Sequence, residues 1–243
     1  MPTNCLASVL EAAQNVGDSL KMLRWFDATK PYSVRRGELP HWWQIGCTTF
    51  ITFRTHDAIP TAVHRRICND RDRWLREHTR LPPQATPHEM MEQLSAEQQT
   101  DVRRRFAAAF ESALDLGHGA CPLRRMEAAR IVADALHHAD GLRYELADYV
   151  VMPNHVHALI VPIQDFSPAD ICWSWKRYTA RELNKLLGTS GTFWQGESFD
   201  HLVRSPEHFL KYRRYIHDNP RKAGLPPGDF LLGCGRALSD PLP

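Results

Sequence analysis

His155 and His157 are the residues of this sequence best placed to do chemistry. They stand at i and i+2 in an apolar run from Val151 to Pro162. On a β-strand that spacing puts both imidazoles on one face and Val156, Ala158 and Ile160 on the other. Two adjacent imidazoles inside an apolar strand need hydrogen-bond partners, or a metal that uses both lone pairs. Further along, Tyr215 and Asn219 stand at i and i+4. On a helix that spacing presents a hydroxyl nucleophile and an amide oxygen on one face. Two metal-type ligands on a sheet, facing a tyrosine and a third ligand on a helix, would make a strand-cleaving site for DNA. Two histidines leave most coordination positions open, which suits a catalytic rather than a structural metal.

Each feature taken alone also has an ordinary structural explanation. A histidine in a core strand is commonly just hydrogen-bonded, a tyrosine on an amphipathic helix commonly packs, and asparagine is common where helices end. Tyr212, about one turn before Tyr215, is a competing nucleophile, and the amide at i+4 favours Tyr215. A phenol ionises near pH ~10 and is a poor nucleophile at neutral pH. Nearby positive charge from Arg213, Arg214 and Arg221, with a metal-polarised phosphate, would offset that.

The charge pattern agrees with a phosphate-binding surface. Net charge is only +2, yet ten basic side chains stand against five acidic ones between Lys176 and Lys222. A solvated helix face would look the same from charge alone. With 43% hydrophobic and 24% charged residues in 243, the chain has the composition of a globular protein of one domain with additions. It has no stretch long and apolar enough for a membrane span. The first residues lack the basic and apolar regions of a signal peptide, so the expected location is the cytoplasm. Six scattered cysteines form no short metal-binding spacing and are expected to be reduced.

The elements that must position these residues can be read from period and punctuation. An amphipathic helix is expected from Leu6 to Phe26, then an approach segment from Pro31 to Pro40. Thr48–Arg54 reads as a first strand and Ala62–His78 as a helix. After a Pro- and Thr-rich loop, a charged helix is expected from Pro87 to Leu116, ended by Gly117 to Gly119. Met126–His138 is a helix. Tyr144–Val151 and His155–Ile163 form a hairpin with the histidines just past its turn. Ile171–Leu187 is a basic helix. A short strand is expected before Arg204, then a helix capped by Ser205 with Pro206 at its first position, ending at Asn219 because Pro220 follows. This order suits an α+β fold, a largely antiparallel sheet with helices packed on it. The expected layout is an N-terminal extension over 1–35, a main domain over 36–225 with an insertion over 79–116, and a tail over 226–243 with little structure of its own.

Several motifs carry a family resemblance. They are Met152 to His157 with its His-Val-His core, Phe193 to Gln195, Ser198 to Arg204, and Tyr215 to Leu225, supported by Leu39 to Trp42 and Thr49 to Arg54. Together they resemble the REP-associated tyrosine transposases of the single-tyrosine HUH superfamily. The resemblance implies a ferredoxin-like palm. It implies that His155, His157 and a polar residue one turn after the tyrosine, here Asn219, bind Mg2+ or Mn2+. It makes Tyr215 the nucleophile and single-stranded or hairpin DNA the partner, with the protein a monomer or homodimer. Many relatives carry glutamine where this chain has Asn219. The activity implied is single-strand cleavage and strand transfer through a 5′-phosphotyrosine link. Lys176, Arg177, Trp194, Arg204, Arg214 and Arg221 are the candidate DNA contacts, by stacking and backbone neutralisation. The competing readings are a domesticated hairpin-binding protein without turnover, and a metal-dependent hydrolase, which lacks an acidic base near the histidines.

Overall fold

The computed structural model describes residues 23–36 and 40–236. Most of the expected helix from Leu6 to Phe26 lies outside these residues, and its last residues, 23–26, are not helical. The chain divides into two compact units, the second spanning Asp57–Cys121 and the first built from the sequence on either side of it.

In the first unit, two short strands, β1 (Ser33–Arg36) and β2 (Pro40–Trp43), form an antiparallel hairpin where only an approach segment was expected. A five-stranded sheet follows, made of β3 (Thr49–Arg54), β4 (Tyr144–Val151), β5 (His155–Pro162), β6 (Phe199–Leu202) and β7 (Leu231–Cys234). The strand order is β6-β3-β5-β4-β7, and every pairing is antiparallel. Without β7 this is a β-α-β-β-α-β ferredoxin-like sheet with β3 and β5 in the middle. The central strands are rich in β-branched and aromatic residues, and β5 is buried along its whole length, which suits a strand covered on both faces.

The second unit is helical. It contains α1 (Thr61–His78), α2 (Pro87–Gln93) and α3 (Ala96–Asp115). The single helix expected over 87–116 is therefore two. Ser95 accepts from the Gln98 N–H while the Gln98 side chain accepts from the Ser95 N–H, a capping box that starts a new helix. Thr86 and Glu89 make the same arrangement at α2. The unit has its own apolar clusters, one around Ile67 and Leu114 and one around Leu75, Met90 and Val102. The segment expected as an insertion, 79–116, lies within this unit.

Three helices complete the first unit: α4 (Met126–His138), α5 (Pro168–Leu187) and α6 (Pro206–Lys222). Ser167 and Ser205 cap α5 and α6, each with proline at the start, and Gly188 ends α5 in the left-handed conformation at φ 66°. Helices α4 and α5 cover one face of the sheet, packing Val132, Leu136, Ile171 and Trp175 on Phe53, Val156, Ala158 and Ile160. Helix α6 covers the other, packing Phe209 and Ile216 on Phe50, Val150 and Leu159.

Two expectations change here. Helix α6 runs through Pro220 to Lys222 instead of stopping at Asn219. The missing N–H of Pro220 falls in the last turn, where the chain still closes on itself through Ala223 N–H to Asn219 O at 3.0 Å and Leu225 N–H to Pro220 O at 2.9 Å. The tail is not structureless, because β7 pairs along the edge of β4. Gly233 permits this approach, since any Cβ there would collide with the Tyr149 ring.

Candidate active site

Alternation along β5 places His155 and His157 on the α6 side of the sheet. His155 stands opposite Arg54 of β3, and His157 lies between Thr52 of β3 and Val150 of β4. Both rings are buried, at 1% and 0% exposure. Each has a neighbour that fixes its Nδ1. Thr52 Oγ1 lies 2.7 Å from His157 Nδ1, and Asn154 Oδ1 lies 2.8 Å from His155 Nδ1. An amide oxygen can only accept, so His155 carries its proton on Nδ1 and presents a bare lone pair at Nε2. Asn154 is itself held by the tight β4–β5 turn, where its carbonyl accepts from the Thr55 N–H at 2.8 Å.

Burial keeps both imidazoles neutral. It pushes the His155 pKa down to about 3, with the Arg54 charge adding to the effect. Burial, and then the neighbouring His155, lowers His157 well below the ordinary histidine range. Both rings therefore keep lone pairs at neutral pH.

Helix α6 brings Tyr215 to this pair. Its hydroxyl lies 3.5 Å from His157 Nε2, and the two rings meet edge to face with centroids 5.1 Å apart. Tyr212 is placed differently: it stacks on Phe50 at 4.3 Å and packs against His208. Of the two tyrosines, Tyr215 is thus the one with its hydroxyl at His157 Nε2. Asn219, one turn beyond, is fully buried. His155 Nε2 and both side-chain atoms of Asn219 are buried without a hydrogen-bond partner. Such groups cost about 1–3 kcal/mol each when left unmet. Two imidazole nitrogens and an amide oxygen are a plausible donor set for a first-row divalent metal. Among the described residues no cluster of three or more His, Cys, Asp or Glu could hold a metal.

The candidate DNA contacts are split between the two faces. Arg204, Arg214 and Arg221 are exposed on α6 and the turn before it. Arg177 is exposed on α5, with its guanidinium 5.1 Å from the centre of the Trp173 ring. Lys176, also on α5, is half-buried and donates to the Gly196 carbonyl at 2.6 Å, and burial depresses its pKa. Trp194 is only 4% exposed and its indole N–H donates to Thr179 Oγ1 at 2.9 Å. It is a core residue under α5 and has no face left for a base. Trp175 and Phe193 are buried as well, and the Trp175 N–H donates to the Tyr144 hydroxyl at 2.8 Å. Arg213 does not serve Tyr215 either, because it is buried and turned to Asp148.

Sequence reasoning overlooked Thr52 and Asn154, which orient the imidazoles. It also overlooked Lys222, whose Nζ lies 5.5 Å from the centre of the Tyr215 ring. Lys222 was legible, being two turns after Tyr215 on the same helix. Thr52 was not, because only the strand register brings it to His157.

An antiparallel α+β sheet with a buried histidine pair on one face, met by a helix-borne tyrosine, defines the class of this molecule. Residues 128–219 match the model of the family described as "Transposase IS200 like". That segment is less than half of the chain, and it holds both histidines, Tyr215 and Asn219. A solved structure described as "Structure of the REP associates tyrosine transposase bound to a REP hairpin" is similar at 14% identity and a TM-score of 0.41, over 78% of this chain and 75% of that one. No curated protein matches. Among the described residues no helix is long and apolar enough to cross a membrane.

Proposed function

We propose that this chain cleaves and rejoins single-stranded DNA at hairpins or repeats, through a 5′-phosphotyrosine intermediate on Tyr215. The observation that carries this reading is the Tyr215 hydroxyl 3.5 Å from His157 Nε2, on the helix that also carries Asn219, with His155 Nε2 and the Asn219 amide buried and unmet. His155 and His157, through Nε2, and Asn219, through its amide oxygen, would hold a divalent cation. Two imidazoles suit Mn2+ or another first-row ion better than Mg2+. Such an ion supplies Lewis-acid polarisation of a phosphate oxygen.

The residues of the chain do the rest. Tyr215 loses its phenolic proton to solvent, and its oxygen forms a bond to phosphorus. The bond from phosphorus to the 3′ oxygen breaks, and that oxygen takes up a proton to become a free 3′-OH. One phosphate ester replaces another, so a second 3′-OH can reverse the step and join strands without ATP. Lys222 beside the tyrosine ring, with Arg204, Arg214 and Arg221 on the same layer, supplies positive charge for the DNA backbone. The activity belongs in the cytoplasm, with the DNA.

The test is a denaturing gel of protein incubated with Mn2+ and labelled single-stranded hairpins from the DNA flanking its own gene. A covalent adduct is expected, abolished in Tyr215→Phe and kept in Tyr212→Phe. Adduct lost only in Tyr212→Phe would overturn the choice of nucleophile. Hairpin binding without any adduct would favour a binding protein without turnover.

A further inference from the structure

We infer that the buried pair of Asp148 and Arg213, joined by His217, is a positioning device that sets the roll of α6 and thereby places Tyr215 and Asn219. The inference rests on the reading of Tyr215 as nucleophile.

The arrangement begins with an irregularity in β4. Leu146 pairs with Ile160 and Tyr149 with Ala158, so Ala147 and Asp148 together stand opposite Leu159 alone. This is a β-bulge, which re-aims a side chain. Ala147 packs in the cluster under α6, and Asp148 points to the same side. Strict alternation would have sent the carboxylate into the apolar layer under α4 and α5. The tail strand secures the bulge, since Asp148 pairs with Cys234 and the Gly235 N–H donates to the Ala147 carbonyl at 3.0 Å.

Asp148 then grips α6 from one flank. Arg213 Nε donates to Oδ2 at 2.5 Å and Nη2 to Oδ1 at 3.4 Å, while His217 Nε2 lies 2.9 Å from Oδ1. Asp148 and Arg213 are each only 2% exposed. By helical periodicity the apolar stripe of α6 runs through Phe209, Ile216 and Pro220. Arg213 and His217 lie along one flank of that stripe, and Tyr212, Tyr215 and Asn219 along the other. Apolar packing is non-directional and tolerates rolling about the stripe, whereas a forked ion pair does not. A side-chain tip rides about 5–6 Å from the helix axis, so a roll of about 20° moves it by about 2 Å. A misplacement of about 1 Å in a reacting group costs on the order of 10²-fold in rate. A buried ion pair adds little stability over apolar packing, so directional placement is its better explanation.

The experiment replaces the pair with apolar side chains, Asp148→Leu with Arg213→Met, so that no unpaired charge stays buried. The expected protein unfolds cooperatively near the wild-type midpoint and binds the hairpin within about three-fold of wild type. Its adduct forms at least about ten-fold more slowly at saturating DNA. Arg213→Lys, which keeps the charge without the fork, should fall between the two. Adduct formation at the wild-type rate in the folded double variant overturns the inference. Should that variant not fold, Asp148→Asn is read in the same way. Hydrogen exchange of residues 206–222, measured without DNA, should quicken in the variant while α4 and α5 stay unchanged, and unchanged exchange in 206–222 also overturns the inference. If wild type gives no adduct at all, the functional reading fails, and the exchange measurement still decides whether the pair positions α6.

Discussion

The two faces of the central sheet are made by the same strands, yet they are built to different ends. On the face under α4 and α5, the buried aromatic polar groups are satisfied: Trp175 donates to Tyr144, Tyr144 donates to the Leu136 carbonyl, and Trp194 donates to Thr179. On the face under α6, His155 and Asn219 are buried with unmet atoms, next to a tyrosine that only partly packs. A fold gains nothing in stability from the second arrangement. The first face is packed, and on the second the proposed function gives the unmet atoms a use, as ligands beside a nucleophile.

The sharpest way to break this comparison is to damage the packing face alone. Ile160→Ala should cost about 2–5 kcal/mol of stability, measured by urea unfolding. The rate of adduct formation per folded molecule should not change. A slowed rate at full folding would mean that the two faces are coupled and the division is false.

Thr52→Val addresses the other face. It removes the hydroxyl that orients His157 while keeping the shape of the side chain. Mn2+ affinity, followed by titration calorimetry, should weaken about 10–100-fold. Wild-type affinity would show that Thr52 only fills space.

Asn219→Leu removes an amide with two unmet atoms and keeps a similar volume. In metal-free protein it should raise stability by about 1–3 kcal/mol. Mn2+ should raise the melting temperature of wild type more than that of this variant. A destabilised metal-free variant would mean that the amide has a partner worth more than its burial costs.

The smallest effect concerns which face DNA meets. Arg214→Gln should reduce the salt dependence of hairpin binding by about one unit of slope. Arg177→Gln, on α5, should leave it unchanged. The reverse result would move the DNA to the packing face.

Much of this was written locally in the chain. The i, i+2 histidines, the i, i+4 tyrosine and asparagine, Ser205-Pro206 at the start of α6 and the β4–β5 hairpin all depend on short-range periodicity and capping. Those rules operate within a few residues, so sequence alone is enough to read them. The same rules misread the segment over 87–116, where the capping box at Ser95 was hidden inside a continuous helical pattern, and they took Pro220 as a stop.

Other features needed the tertiary structure because their cause lies far along the chain. Trp194 looks like a stacking platform beside basic residues, and only its seat against Phe53 and Thr179 shows that it is core. Arg213 looks like one of three equivalent arginines around Tyr215. A bulge in β4, with Asp148 exposed to α6 by it, turns that one arginine inward. The tail gives no strong strand signal, and β7 forms because the edge of β4 has backbone groups to pair. Sequence by itself determined which residues share a face of their own strand or helix. The tertiary structure decided which faces meet, because register, bulges and burial are set by long-range partners that no local pattern encodes.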